Sequence, residues 1–124
     1  MTDFLRDLLA PGRRDVGAAP EGADALLARD LASQGGDVLM VLRDDAGLAR
    51  RAAALQFFAP DTEALELPAW DCLPYDRVSP SAEIVARRIA ALSAIVNQPE
   101  DDPVLLLMTA NAALQRYVPR AEFA

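Results

Sequence analysis

Two short runs, VLMVL at residues 38–42 and VLLLM at residues 104–108, are apolar at every position. A strand with one face in water alternates apolar and polar residues, so an unbroken apolar run this short is what a strand covered on both faces by helices requires. Both runs read as parallel strands, the first as a central one, and parallel strands need crossover segments between them, usually helices. The flanking segments supply that helical character. Residues 2–9, TDFLRDLL, place Phe4, Leu5, Leu8 and Leu9 on one side and stop at Pro11-Gly12. From Ala23 to Ser33 the leucines 26, 27 and 31 recur at helical spacing, and Gly35-Gly36 ends the run. Asp44 and Asp45 offer a capping oxygen and negative charge to a helix through Leu48, Ala52, Leu55 and Phe58 that Pro60 stops.

A third strand, Glu63 to Leu67, is short and alternates Ala64 and Glu66 with Leu65 and Leu67. Ser79-Pro80 then predicts a helix start, with Ser79 as the capping acceptor, Pro80 at the first helical position and Glu83 in the first turn. That helix is expected to run to about Val96, with Val85, Ile89, Leu92 and Val96 in one stripe and Ile84 and Ile95 on its flank. Residues 97–103 form an acidic turn, and Thr109 or Asn111 caps a last helix that Pro119 ends. Helix alternating with strand in this way predicts a three-layer α/β domain with a mainly parallel sheet and right-handed crossovers. Three strands leave both sheet edges bare, so residues 1–124 read as one domain that is an amino-terminal fragment of a longer, multidomain protein.

Composition removes most catalytic chemistry. All twelve basic residues are arginines and histidine is absent, which rules out Ser-His and Cys-His pairs, histidine metal ligands, Schiff-base lysines and a phosphate-loop lysine. The single cysteine, Cys72, makes no internal disulfide and no thiolate cluster, as expected in a reducing compartment. No catalytic or metal-binding set is assigned; an enzyme built on carboxylates alone, with Asp71 and Asp76 converging in a pocket, is the remaining catalytic alternative. The formal charge of −7 repels phosphate backbones and argues against autonomous nucleic-acid binding. No apolar run approaches the roughly 18 residues of a membrane span, and the amino terminus lacks the order of a secretory signal. The expectation is a cytoplasmic protein without membrane contact.

The loop GAAPEGAD, Gly17 to Asp24, has the frame of a phosphate-binding loop, G-x-x-x-x-G-K-[ST], without its chemistry. Ala23 stands where the lysine would be and Asp24 where the magnesium-binding hydroxyl would be, while Gly17 and Gly22 keep the glycine positions. Pro20 removes a backbone N–H, and Glu21 and Asp24 put carboxylates where an anion would sit. Either two glycines at this spacing are coincidence or the loop descends from a nucleotide site that has been lost; in both cases no cofactor is expected here.

The densest chemistry lies in LPAWDCLPYDRVSP, residues 67–80. The run from Leu67 to Ile95 resembles, without gaps, the amino-terminal module of the bacterial transcription-repair coupling factor (Mfd). Trp70, Asp71, Leu73, Pro74, Tyr75, Asp76, Ser79, Pro80, Ile84 and Arg88 carry the resemblance, and residues 104–119 look like the strand and Gln-Arg segment of the same module. The resemblance implies a RecA-like α/β fold similar to the first domain of UvrB, in which this domain holds an intact phosphate loop and a long aromatic hairpin that enters DNA. Here only Asp76, Arg77 and Val78 separate Tyr75 from Ser79, which leaves no room for a hairpin. It further implies that the longer protein is an ATP-dependent DNA translocase that displaces stalled RNA polymerase and recruits UvrA. Its ATP and magnesium would belong to motor domains outside this chain, and UvrA would be met mainly by the domain that follows. The partners expected of this chain are therefore other domains of the same protein, with RNA polymerase and DNA reached only through domains outside it.

The residues themselves allow a plainer reading beside this one. Trp70 and Tyr75 are expected to anchor a proline-stiffened loop on its own sheet, with a recognition patch as the alternative. The Arg88 stem is expected to lie along the apolar face with its head paired to Asp71 or Asp76, or else to serve an interdomain contact. Arg50, Arg51 and Arg87 are expected as solvated charge, and Cys72, beside Asp71, as an unactivated thiol.

Overall fold

The computed structural model describes residues 3–72, 75 and 77–122. Its elements follow one another as α1 (Asp3–Leu9), α2 (Ala23–Ser33), β1 (Val38–Leu42), α3 (Asp45–Phe58), β2 (Ala64–Leu67), α4 (Ala82–Asn97), β3 (Leu105–Thr109), α5 (Ala110–Leu114) and a 3-10 turn, Arg120–Glu122. The boundaries have local causes. Gly35 takes φ +87°, a left-handed conformation suited to glycine, and its N–H closes α2 on the Ala32 carbonyl at 3.0 Å. Asp44 accepts the Gly47 N–H at 2.7 Å and starts α3, and Thr109 Oγ1 accepts the Ala112 N–H and starts α5.

The three strands are all parallel, in the order β1-β3-β2, with Val38 beside Leu105 and Ala64 beside the same Leu105. Passing from β1 to β2 crosses the sheet in one direction, and passing from β2 to β3 returns. Right-handed crossovers in opposite directions place their helices on opposite faces. The packing agrees: Ala25 and Ala28 of α2 and Leu48 and Leu55 of α3 meet Leu105 and Leu107 on one face, while Ala91 of α4 and Ala112 of α5 meet Leu67 and Met108 on the other. The layers are helix, sheet, helix.

Four expectations need correction. VLMVL is an edge strand rather than a central one, and Leu39 and Val41 are 59% and 50% exposed, because α4 covers β2 and β3 but stops short of β1. The helix after the proline-rich loop starts at Ala82, capped by Ser81 rather than Ser79. Ser81 Oγ accepts the Ile84 N–H, and the Ser81 N–H donates to the Asp71 carboxylate at 3.2 Å, so Asp71 selects the second of two serines that flank Pro80. The buried line of α4 passes through Arg88 and Ala91, leaving Ile89 of the expected stripe 51% exposed. Finally, α5 ends at Leu114 and not near Pro119, because Gln115 turns extended and sends its side chain to the Trp70 N–H at 2.8 Å.

Candidate functional site

Open parallel sheets gather ligand sites at the carboxyl ends of their strands. Two polar clusters lie at that end here, one on each face. The first surrounds the start of α2. Gly22 adopts φ +90° immediately before the helix, and Asp24 places one carboxylate oxygen on the Ala25 N–H at 2.8 Å and the other on Arg51 Nε at 2.8 Å. Glu21 pairs with Arg50 Nε at 3.0 Å and lies 3.9 Å from Arg51. The hydrogen bond that Arg51 donates to Asp24, aided by the charges of Asp24, Glu21 and Asp44, raises the Arg51 pKa above its ordinary value. Arg51, expected as solvated charge, is thus a 20% exposed side chain engaged on a carboxylate. Gly17 lies in an exposed segment, residues 13–17, that forms no strand. Carboxylates and the arginines paired with them thus occupy the start of α2.

The second cluster is built around Arg88, which is 2% exposed. Its Nη1 donates to the Pro68 carbonyl at 2.6 Å and more weakly to Gln115 Oε1 at 3.5 Å. Its guanidinium lies 4.2 Å from the centroid of the Trp70 ring and 4.8 Å from that of Tyr117, within range for two cation–π contacts in a dry setting. Tyr117 is itself tethered by its hydroxyl, which donates to the Ala112 carbonyl. Among the described residues Arg88 Nε has no hydrogen-bond partner. The arginine therefore ties three separate segments together: the end of β2, α4, and the chain after α5.

Of the two partners expected for Arg88, Asp71 makes no ion pair with it and instead accepts the Ser81 N–H. Hydrogen bonding from the Ser81 side chain, and then from its backbone N–H, holds the Asp71 carboxyl below its ordinary range. Asp76, the other expected partner, lies outside the described residues, as do Leu73 and Pro74. Trp70 belongs to the cluster, whereas Tyr75 is 94% exposed, against the expectation that it anchors the loop. Ser79 is exposed and Pro80 half-buried just ahead of the Ser81 cap. Cys72 is a free, half-buried thiol beside a groove of about 450 Å³ that Trp70, Asn111 and Gln115 also line. Arg87 reaches Glu66 at 3.9 Å.

Sequence reasoning missed Pro68, Gln115 and Tyr117. The available signal was a buried-side arginine on α4, which demands carbonyls or π faces nearby, and a glutamine and tyrosine directly after the last helix. Among the described residues no cluster of three or more acidic or cysteine side chains is arranged to hold a metal, and no helix is long and apolar enough to cross a membrane.

Fold and clusters together define an α/β protein with a small, open, all-parallel sheet. No family model matches the chain. Over 104 residues it is 28% identical to the transcription-repair-coupling factor of Haemophilus influenzae, a match that spans 84% of this chain and 9% of that protein.

Proposed function

We propose that this chain is a non-catalytic structural and interaction module of a transcription-repair coupling factor, a RecA-like half-domain, similar to the first domain of UvrB, whose nucleotide site has degenerated. The observation that carries the non-catalytic reading is the closed start of α2: Asp24 and Glu21 stand on the amide end of the helix and Arg51 and Arg50 stand on them. An incoming phosphate would have to displace carboxylates of its own sign and break two arginine pairs. The similarity to the Haemophilus protein supports the assignment to transcription-coupled repair.

In this reading the chain binds no ATP or magnesium, which belong to motor domains elsewhere in the longer translocase. Its partners are other domains of the same cytoplasmic protein. UvrA is met mainly by the domain that follows, and RNA polymerase and DNA by domains further on. In place of the DNA-entering hairpin of UvrB this chain has a short connection whose Pro68, Trp70 and Asp71 serve to hold the fold.

Isothermal titration of the chain with ATP and Mg²⁺, and separately with a short DNA duplex, is expected to give no saturable heat. Micromolar binding of ATP would overturn the degenerate-site reading in favour of a domain that still holds nucleotide. Binding of the duplex would do the same in favour of a DNA-binding UvrB-like domain.

A further inference from the structure

Among the described residues β1 lacks a partner on two sides at once. Its Leu39 and Val41 side chains stand in the open on the α4 face of the sheet. The Val38 N–H donates to the Val104 carbonyl at 2.7 Å, so by strand alternation the amides of 38, 40 and 42 face β3 while those of Leu39 and Val41 face the empty edge. The devices that keep natural edges apart are missing: VLMVL has no proline and no charge, and the charges that flank it are Asp37 before and Arg43 after.

We propose that this edge is a self-association surface, and that its partner is a second copy of the chain. Two β1 strands pair antiparallel about Met40, joining two three-stranded sheets into one across a two-fold axis. Three matches select this register. The outward amide and carbonyl of Leu39 meet those of the partner's Val41, and the reverse, whereas a slip of one residue would turn inward-facing groups to the edge and a slip of two would unpair an end. The exposed Leu39 and Val41 side chains of both copies come together in one apolar strip. Asp37 falls opposite the partner's Arg43 twice, once on each side of the axis. Arg43 is exposed and forms no ion pair among the described residues. Asp37 Oδ1 accepts the Val104 N–H at 2.9 Å, and among the described residues its second oxygen has no partner. The inference stands on this edge geometry and does not depend on the coupling-factor reading.

Sedimentation equilibrium of the whole chain is expected to show the 13.3 kDa monomer giving way, as concentration rises, to a species of twice that mass. Arg43→Asp sets like charges across both ends of the ladder and is expected to weaken association about tenfold or more. Adding Asp37→Arg to the same chain re-forms both pairs with reversed polarity and is expected to restore it. Since Asp37→Arg also removes the acceptor for Val104, hydrogen exchange of the unmodified chain provides a second measurement: the Leu39 and Val41 amides are expected to slow with concentration. A monomer at every concentration would overturn the proposal, as would association indifferent to Arg43→Asp, or Leu39 and Val41 amides that exchange alike in dilute and concentrated samples. A ladder of higher oligomers would overturn it too, since that is the product of β1 pairing with β2 of the next copy.

Discussion

The two faces of the sheet are held by different means. On the α2/α3 face small alanines bring both helices onto Leu105 and Leu107, and Arg50 and Arg51 meet Glu21 and Asp24 at its rim. On the α4 face the apolar cluster is smaller, a guanidinium is buried within the packing, and β1 lies uncovered beside it. The contrast teaches that a face can be closed either by many interchangeable apolar contacts or by one specific polar tie. The first kind tolerates substitution of similar volume. The second depends on one side chain keeping every partner.

The contrast can be broken most forcefully at Arg88. Arg88→Ala removes the Pro68 bond, both ring contacts and the volume of a fully buried side chain, and a loss of about 3–4 kcal/mol is expected in urea unfolding. Arg88→Met keeps volume but not the tie, so it should recover part of that loss while the near-ultraviolet dichroism of Trp70 stays altered; full recovery of both would show the tie to be dispensable. Leu107→Ala, in the closed face, is expected to lose about 3 kcal/mol, against under about 0.5 kcal/mol for Val41→Ala on the open one. Equal losses would mean that the two faces are not distinct in solution.

Smaller effects sharpen the rims. Asp44→Ala removes the α3 cap and is expected to cost about 1 kcal/mol in thermal unfolding. Asp24→Asn is expected to cost no more than about 1 kcal/mol, shrinking at high salt as exposed pairs do. Because the Arg51 pKa is raised, its contribution is full below the ordinary arginine range and lost as pH climbs through the raised folded value. Asp71 runs the other way. Its lowered pKa means that its contribution is full above the ordinary carboxylate range and is lost as pH falls through the lowered folded value. Asp71→Asn is expected to flatten that acid limb of the stability profile, and an unchanged limb would show that Ser81 is capped without Asp71.

Helices and strands were legible because each follows a local pattern: the α3 start at Asp44 and the α2 stop at Gly35 stand where the residues place them, and the VLLLM strand lies one residue later, at Leu105–Thr109. Strand order was not. An apolar pentad looks the same whether both of its faces are covered or one awaits cover, so VLMVL could not declare itself an edge. The Arg88 tie was hidden for another reason. Pro68, Trp70, Gln115 and Tyr117 are ordinary residues in sequence, and only the return of β3 between β1 and β2 brings the chain after α5 onto the end of β2. Ser81 against Ser79 was decided by a carboxylate ten residues upstream.

The strand order also sets a timetable. β3 is the hub to which both other strands bond, yet it is the last strand in the chain, and Val38 waits 67 residues for its neighbour at Leu105. Pairing this distant makes for slow sheet formation, since loop closure precedes any reward from contact. As the chain leaves the ribosome, α2 and α3 can pack on each other while β1 and β2 remain two unjoined ribbons. Only the emergence of LLLMT lets the whole sheet assemble, in a single late step.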